Sequence, residues 1–132
     1  MILLAGGFMG DPEEGEVELA PVKQISASKV DMMGPIPYTA LQALADPLNP
    51  PHLNNHWKNQ FMDDLKDETV EAVRKYFLTS TSPISELHFE YVGKGVSEVS
   101  EEENTFGHRK AKWIVNIVVK WDDPRHTEAN VS

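Results

Sequence analysis

His52 and His56 stand four residues apart, a spacing that on a helix would turn two imidazoles toward one metal ion. Pro50 and Pro51 precede the pair, Asn54 and Asn55 lie within it, and no glutamate follows His52. That context is a loop running into a strand, so no metal is expected. The carboxylates Glu13, Glu14 and Glu16, and the run Glu101-Glu102-Glu103, have the right chemistry for proton transfer. Acid–base work also needs a pocket that shifts a pKa. A helix N-terminus accounts for the first group and a solvated loop for the second. The stretch Ala5-Gly6-Gly7-Phe8-Met9-Gly10 has glycines ahead of a helix but lacks the lysine and hydroxyl of a phosphate-cradling loop. The acids that follow it would repel a phosphate. With no cysteine in the chain, thiolate ligands, disulfides and a thiol nucleophile are excluded. Most informative is Thr105-Phe106-Gly107-His108-Arg109, followed by the apolar run Trp113 to Trp121 with Asn116 at its middle. An amide there has donors and an acceptor to satisfy, so it either meets a structural partner or lines a polar cavity.

The elements that must position these residues follow from periodicity and breakers. The apolar start, Met1 to Gly10, reads as a strand entering a turn. Asp11 then offers a capping oxygen, Pro12 suits the first helical position, and Pro21 is expected to kink or end the helix. Gln24 to Pro37 is loop, Tyr38 to Ala45 a short helix, and Pro47 to Asn55 loop again. His56 to Met62 is expected as a strand. Asp67 starts the clearest helix, with Val70, Val73 and Phe77 as a buried stripe. From Glu86 to Val92, Leu87, Phe89 and Tyr91 alternate with Glu86, His88 and Glu90, the pattern of a half-buried strand. Gly93-Lys94-Gly95 is expected as a bulge or turn, with Val96 to Val99 resuming the strand. Ser100 to Asn104 is an acidic loop, and Trp113 to Trp121 should be central in its sheet. Asp122-Asp123-Pro124 repeats the helix-start chemistry, with eight residues left after Pro124. The order β-α-α-β-α-β-β, without a βαβ repeat, implies an α+β fold: a mostly antiparallel sheet with helices packed on one face.

Bulk properties narrow the partners. The chain has 132 residues, enough for one domain, with 40% hydrophobic and 25% charged residues. Its net charge of -9 and lack of a basic cluster argue against a nucleic-acid partner. No apolar stretch reaches the ~20 residues of a membrane span. A soluble, cytoplasmic chain is therefore the expectation.

Several segments resemble a known family. They are Gly10-Asp11-Pro12-Glu13-Glu14-Gly15-Glu16, Pro37-Tyr38-Thr39-Ala40-Leu41-Gln42 and Trp57-Lys58, then Ser85-Glu86-Leu87-His88 through Gly93, and Phe106-Gly107-His108-Arg109 to Asn116 and Trp121. In this order and spacing they resemble the substrate domain of FAD-linked oxidases. The bacterial berberine-bridge-enzyme-like branch of the vanillyl-alcohol-oxidase superfamily is the nearest group. The likeness runs along essentially the whole chain. It implies that residues 1–132 are part of a substrate-binding (cap) domain. The FAD-binding domain and a C-terminal tyrosine segment would lie outside the chain.

The resemblance also implies roles. FAD would be the cofactor of the parent enzyme, with no tight binding expected to this chain alone. The partners would be the FAD-binding domain and a small-molecule substrate, with a homodimer left open. Asn116 lies on the strand that in relatives brings a polar or acidic side chain near flavin and substrate; an amide is no base, so it would orient substrate. Glu90, His88 and Lys58 lie on strands that would line the same cavity, although alternation does not decide which face looks inward. No residue is assigned as catalytic. His108-Arg109 matches a motif with an expected structural role, and Lys94 stands where the family has a second glycine. The alternative reading is a free-standing α+β binding or dimerisation module. A cofactor-free enzyme lacks a convincing acid–base pair.

Overall fold

The computed structural model describes residues 2–25 and 30–132. Residues 26–29 of the loop expected from Gln24 to Pro37, and Met1 of the opening segment, lie outside the described residues. The chain forms two compact units, Met1–Leu48 and Asn49–Ser132.

In the first unit, helix α1 spans Pro12–Lys23. Asp11 caps it as its composition dictates, its carboxylate accepting from the amides of Glu13 and Glu14 at 2.8 and 3.4 Å. Pro21 sits inside the last turn without ending the helix. The Phe8 ring lies against Gly15, where a Cβ would come within 3.0 Å of it, so the absent side chain permits the contact. Helix α2 is short, Tyr38–Gln42. The expected opening strand is not there: residues 2–9 carry no regular structure, and Ile2 is 98% exposed. An apolar run becomes a strand only when a neighbour takes its backbone hydrogen bonds, and none does here among the described residues.

The second unit holds the sheet. Strands β1 (Asn54–Met62), β2 (Glu86–Tyr91) and β3 (Trp113–Trp121) pair antiparallel in the order β1-β3-β2. The most apolar strand is therefore central, as its composition requires. Its Val115, Val118 and Trp121 are buried and form the core with Ala111. Helix α3 covers Asp67–Phe77, with Asp67 and Glu68 in its first turn and Arg74 and Lys75 in its last, complementing the helix dipole. Its expected stripe is a correction: Val70 and Phe77 each remain 38% exposed and no residue of the helix is buried. Spacing decides which side of a helix is apolar, but burial needs a second surface. The segment expected to resume the strand after Gly93 is instead helix α4, Lys94–Ser97. Helix α5 (Thr127–Val131) lies against β3 and β1. The element order is thus α-α-β-α-β-α-β-α, not the expected order, and the fold is α+β with a three-stranded antiparallel sheet. Among the described residues, no helix is long and apolar enough to cross a membrane.

The helix start at Asp123 is built as its composition implies. Its carboxylate accepts from the Arg125 amide at 2.9 Å and grips the Arg125 guanidinium. The Arg125 side chain, and then its backbone N–H, hold the Asp123 carboxyl below the ordinary aspartate value. A depressed folded-state pKa adds stability that is complete above the ordinary aspartate range and is lost as pH falls through the lowered value. In an NMR titration, Arg125→Ala should move Asp123 up toward the ordinary value. An unchanged titration would contradict this account of the cap.

Candidate functional site

Directly paired residues on antiparallel strands project to the same face of the sheet, and successive residues to opposite faces. On β3 one face therefore carries Ile114, Asn116, Val118 and Lys120. The register pairs His88 and Asn59 with Asn116, Glu90 and Phe61 with Ile114, and Glu86 and Trp57 with Val118. This is the polar face. Aromatic side chains stand on its β1 side, carboxylates on its β2 side, and a row of Asn59, Asn116 and His88 crosses its middle.

The side chains on this face are tied together. The Asn116 amide donates through Nδ2 to Glu90 Oε1 at 2.6 Å. His88 Nε2 lies 3.1 Å from Glu86 Oε2, and its Nδ1 lies 3.9 Å from Glu90 Oε1. Lys120 Nζ donates to Glu86 Oε1 at 2.7 Å. Lys120 is 1% exposed, whereas the side chains of His88 and Glu90 are 43% and 51% exposed. The network therefore has a buried cationic root and an exposed crown of hydrogen-bonding groups. Such a face can orient a polar small molecule.

Three of the four residues implied by the resemblance, Asn116, His88 and Glu90, meet on this face. Lys58 does not join them. It pairs with Ile117 and so projects to the opposite face, which also carries Leu87, Phe89 and Tyr91. Of the two alternatives open for Asn116, the partner is realised in Glu90, whereas the polar cavity is not, because this hydrogen bond lies on an exposed part of the sheet.

Glu86 and Lys120 were missed as site residues. Lys120 did carry a signal, being a cation next to Trp121 at the end of the most apolar strand. A lysine there needs an acid on a neighbouring strand, and Glu86 is placed to be that acid.

Other sequence candidates fall elsewhere. His52 sits in a turn with φ 75°, and His56 lies within β1 opposite Val119. The two are thus not on one helical face. Among the described residues, no group of three His, Asp or Glu side chains gathers in a metal-binding arrangement. Arg109 is buried, donates to the Val96 carbonyl at 3.1 Å and to the Asn104 side chain, and rests its guanidinium over Phe106 at 5.2 Å. His108 stacks on Phe61 with ring centroids 4.0 Å apart. Through these contacts the segment before β3 is anchored to β1 and to α4. A shallow pocket of about 380 Å3 lies elsewhere in the same unit, lined in part by Ser82, Ile84, Trp121, His126 and Asn130. It includes none of the four residues implied by the resemblance.

No protein-family model matches the chain, and no curated protein matches it at a significant level.

Proposed function

We propose that the chain is part of the substrate-binding sheet of an FAD-dependent oxidoreductase of the berberine-bridge-enzyme-like type, acting in the cytoplasm. On this reading the face bearing Asn116, His88 and Glu90 meets the substrate. The observation that carries the reading is the direct pairing of His88 with Asn116, together with the hydrogen bond from Asn116 to Glu90. Residues drawn from separate segments of the sequence by the resemblance thereby form one hydrogen-bonding surface.

Among the described residues, the start of α1 does not suit the diphosphate of FAD. The amides at the start of α1, behind the glycine stretch, are already taken by the Asp11 carboxylate, and Glu13 and Glu14 add negative charge. A diphosphate would be repelled there. A separate domain would hold FAD and supply the capacity to accept a hydride from a substrate carbon. The contribution of this chain is orientation: Asn116 and His88 offer hydrogen bonds to a small polar substrate, and Glu90 offers a fixed acceptor. The visible spectrum of the purified chain, recorded with added FAD and after gel filtration, tests the division of labour. Loss of the flavin on the column is expected. A retained yellow complex that turns over substrate would contradict it.

A further inference from the structure

We propose that Lys120 and Glu86 are positioning residues that set the tautomer of the uncharged His88 ring, placing its proton on Nε2. Nδ1 is then left as an acceptor for a hydroxyl or amine group of the bound molecule. The inference rests on the reading that this face meets a ligand, and it says which kind of group the ligand presents.

The argument starts at Lys120. Its side chain is 1% exposed, and its ammonium donates to Glu86 Oε1 at 2.7 Å. A buried ammonium calls for a counter-charge, and the Glu86 carboxylate supplies it through one oxygen. The other oxygen, Oε2, is 3.1 Å from His88 Nε2. An ionised carboxylate only accepts hydrogen bonds, so the nitrogen facing it must carry the proton. In a neutral imidazole the second nitrogen is then bare, and the partner of one nitrogen sets the chemistry of the other.

That second nitrogen has an acceptor beside it. His88 Nδ1 lies 3.9 Å from Glu90 Oε1, beyond hydrogen-bond distance. Glu90 is itself fixed by the amide of Asn116 at 2.6 Å. Two acceptors side by side and facing solvent leave room for one donor between them. A hydroxyl satisfies one of them, and an amine can satisfy both. Neither Glu86 nor Lys120 needs to touch the ligand; they act through His88.

Imidazole nitrogen NMR of the 15N-labelled chain, with His88 assigned by its loss in His88→Gln, reads the tautomer directly on the neutral ring. Wild type should show the Nε2–H form in roughly tenfold excess, the ratio that a hydrogen bond to a charged acceptor supports. Glu86→Gln, which keeps the shape of the side chain, should lower that excess by about twofold or more through loss of the charge-assisted bond. Lys120→Met should act in the same direction. A wild-type His88 protonated mainly on Nδ1 overturns the proposal, as does an excess that moves less than about twofold in Glu86→Gln. If Lys120→Met fails to fold, the Glu86 variant still decides. The readout needs neither flavin nor substrate, so its failure is distinct from failure of the flavoenzyme reading.

Discussion

Trp121→Ala is expected to lower the unfolding free energy by about 3–5 kcal/mol, the range for deleting a buried tryptophan. The indole is 5% exposed at the end of the central strand. Its Nε1 donates to Thr127 Oγ1 at 3.1 Å, and Thr127 Oγ1 in turn donates to the Pro124 carbonyl at 2.7 Å. Removal therefore opens a cavity and unties the start of α5 in one step. Against a domain stability of about 5–15 kcal/mol, the loss is a large fraction of the total. Urea denaturation followed by circular dichroism measures it, and amide exchange in α5 should accelerate. Trp57→Ala is the control: that side chain is 60% exposed, and its loss should cost well under half as much. Equal effects of the two substitutions would mean that Trp121 does not anchor the unit.

Lys120→Met should cost about 3 kcal/mol, the low end for breaking a buried ion pair. The low end applies because Glu86 is 23% exposed and keeps its contact with His88. Methionine retains most of the apolar stem, so the loss reports on the charge rather than on packing. The double replacement Lys120→Met with Glu86→Leu should recover most of the stability, since a well-packed apolar pair often matches a buried ion pair. A double-mutant cycle by urea denaturation checks this. Additive losses with no recovery would show that the two residues are not coupled.

Sequence patterning specified β3 well because a near-continuous apolar run suits a strand flanked on both edges, and its Val115, Val118 and Trp121 are buried. The two capped starts were also legible. Asp11-Pro12 and Asp123-Pro124 act through hydrogen bonds within two or three residues, and neither depends on tertiary context. The failures have a common origin. The opening run and the Val70–Phe77 stripe are apolar enough to be buried, but burial depends on a partner surface that local sequence does not encode. Lys94-Gly95-Val96-Ser97 formed a helical turn because the strand after Gly93 had no ladder to extend.

For the site, the resemblance supplied Asn116, Glu90, His88 and Lys58, but one strand's alternation cannot say which face each shares with another strand. Only the register, His88 with Asn116 and Lys58 with Ile117, separates the three that meet from the one that does not. Glu86 belonged to the same polar alternation as His88 and Glu90. Its importance emerges only once Lys120 is seen to be buried against it.

The central claim is that this polar face orients the substrate of a flavoenzyme. Its most direct test is anaerobic flavin reduction by the longer polypeptide that joins this chain to the proposed FAD-binding domain, comparing wild type with Asn116→Ala. The account predicts a yellow protein whose flavin is bleached by substrate. In Asn116→Ala the flavin content should be unchanged and the substrate concentration for half-maximal reduction raised by roughly tenfold, the loss of about one hydrogen bond to substrate. A colourless wild-type protein, or a variant with the wild-type substrate dependence, would contradict it.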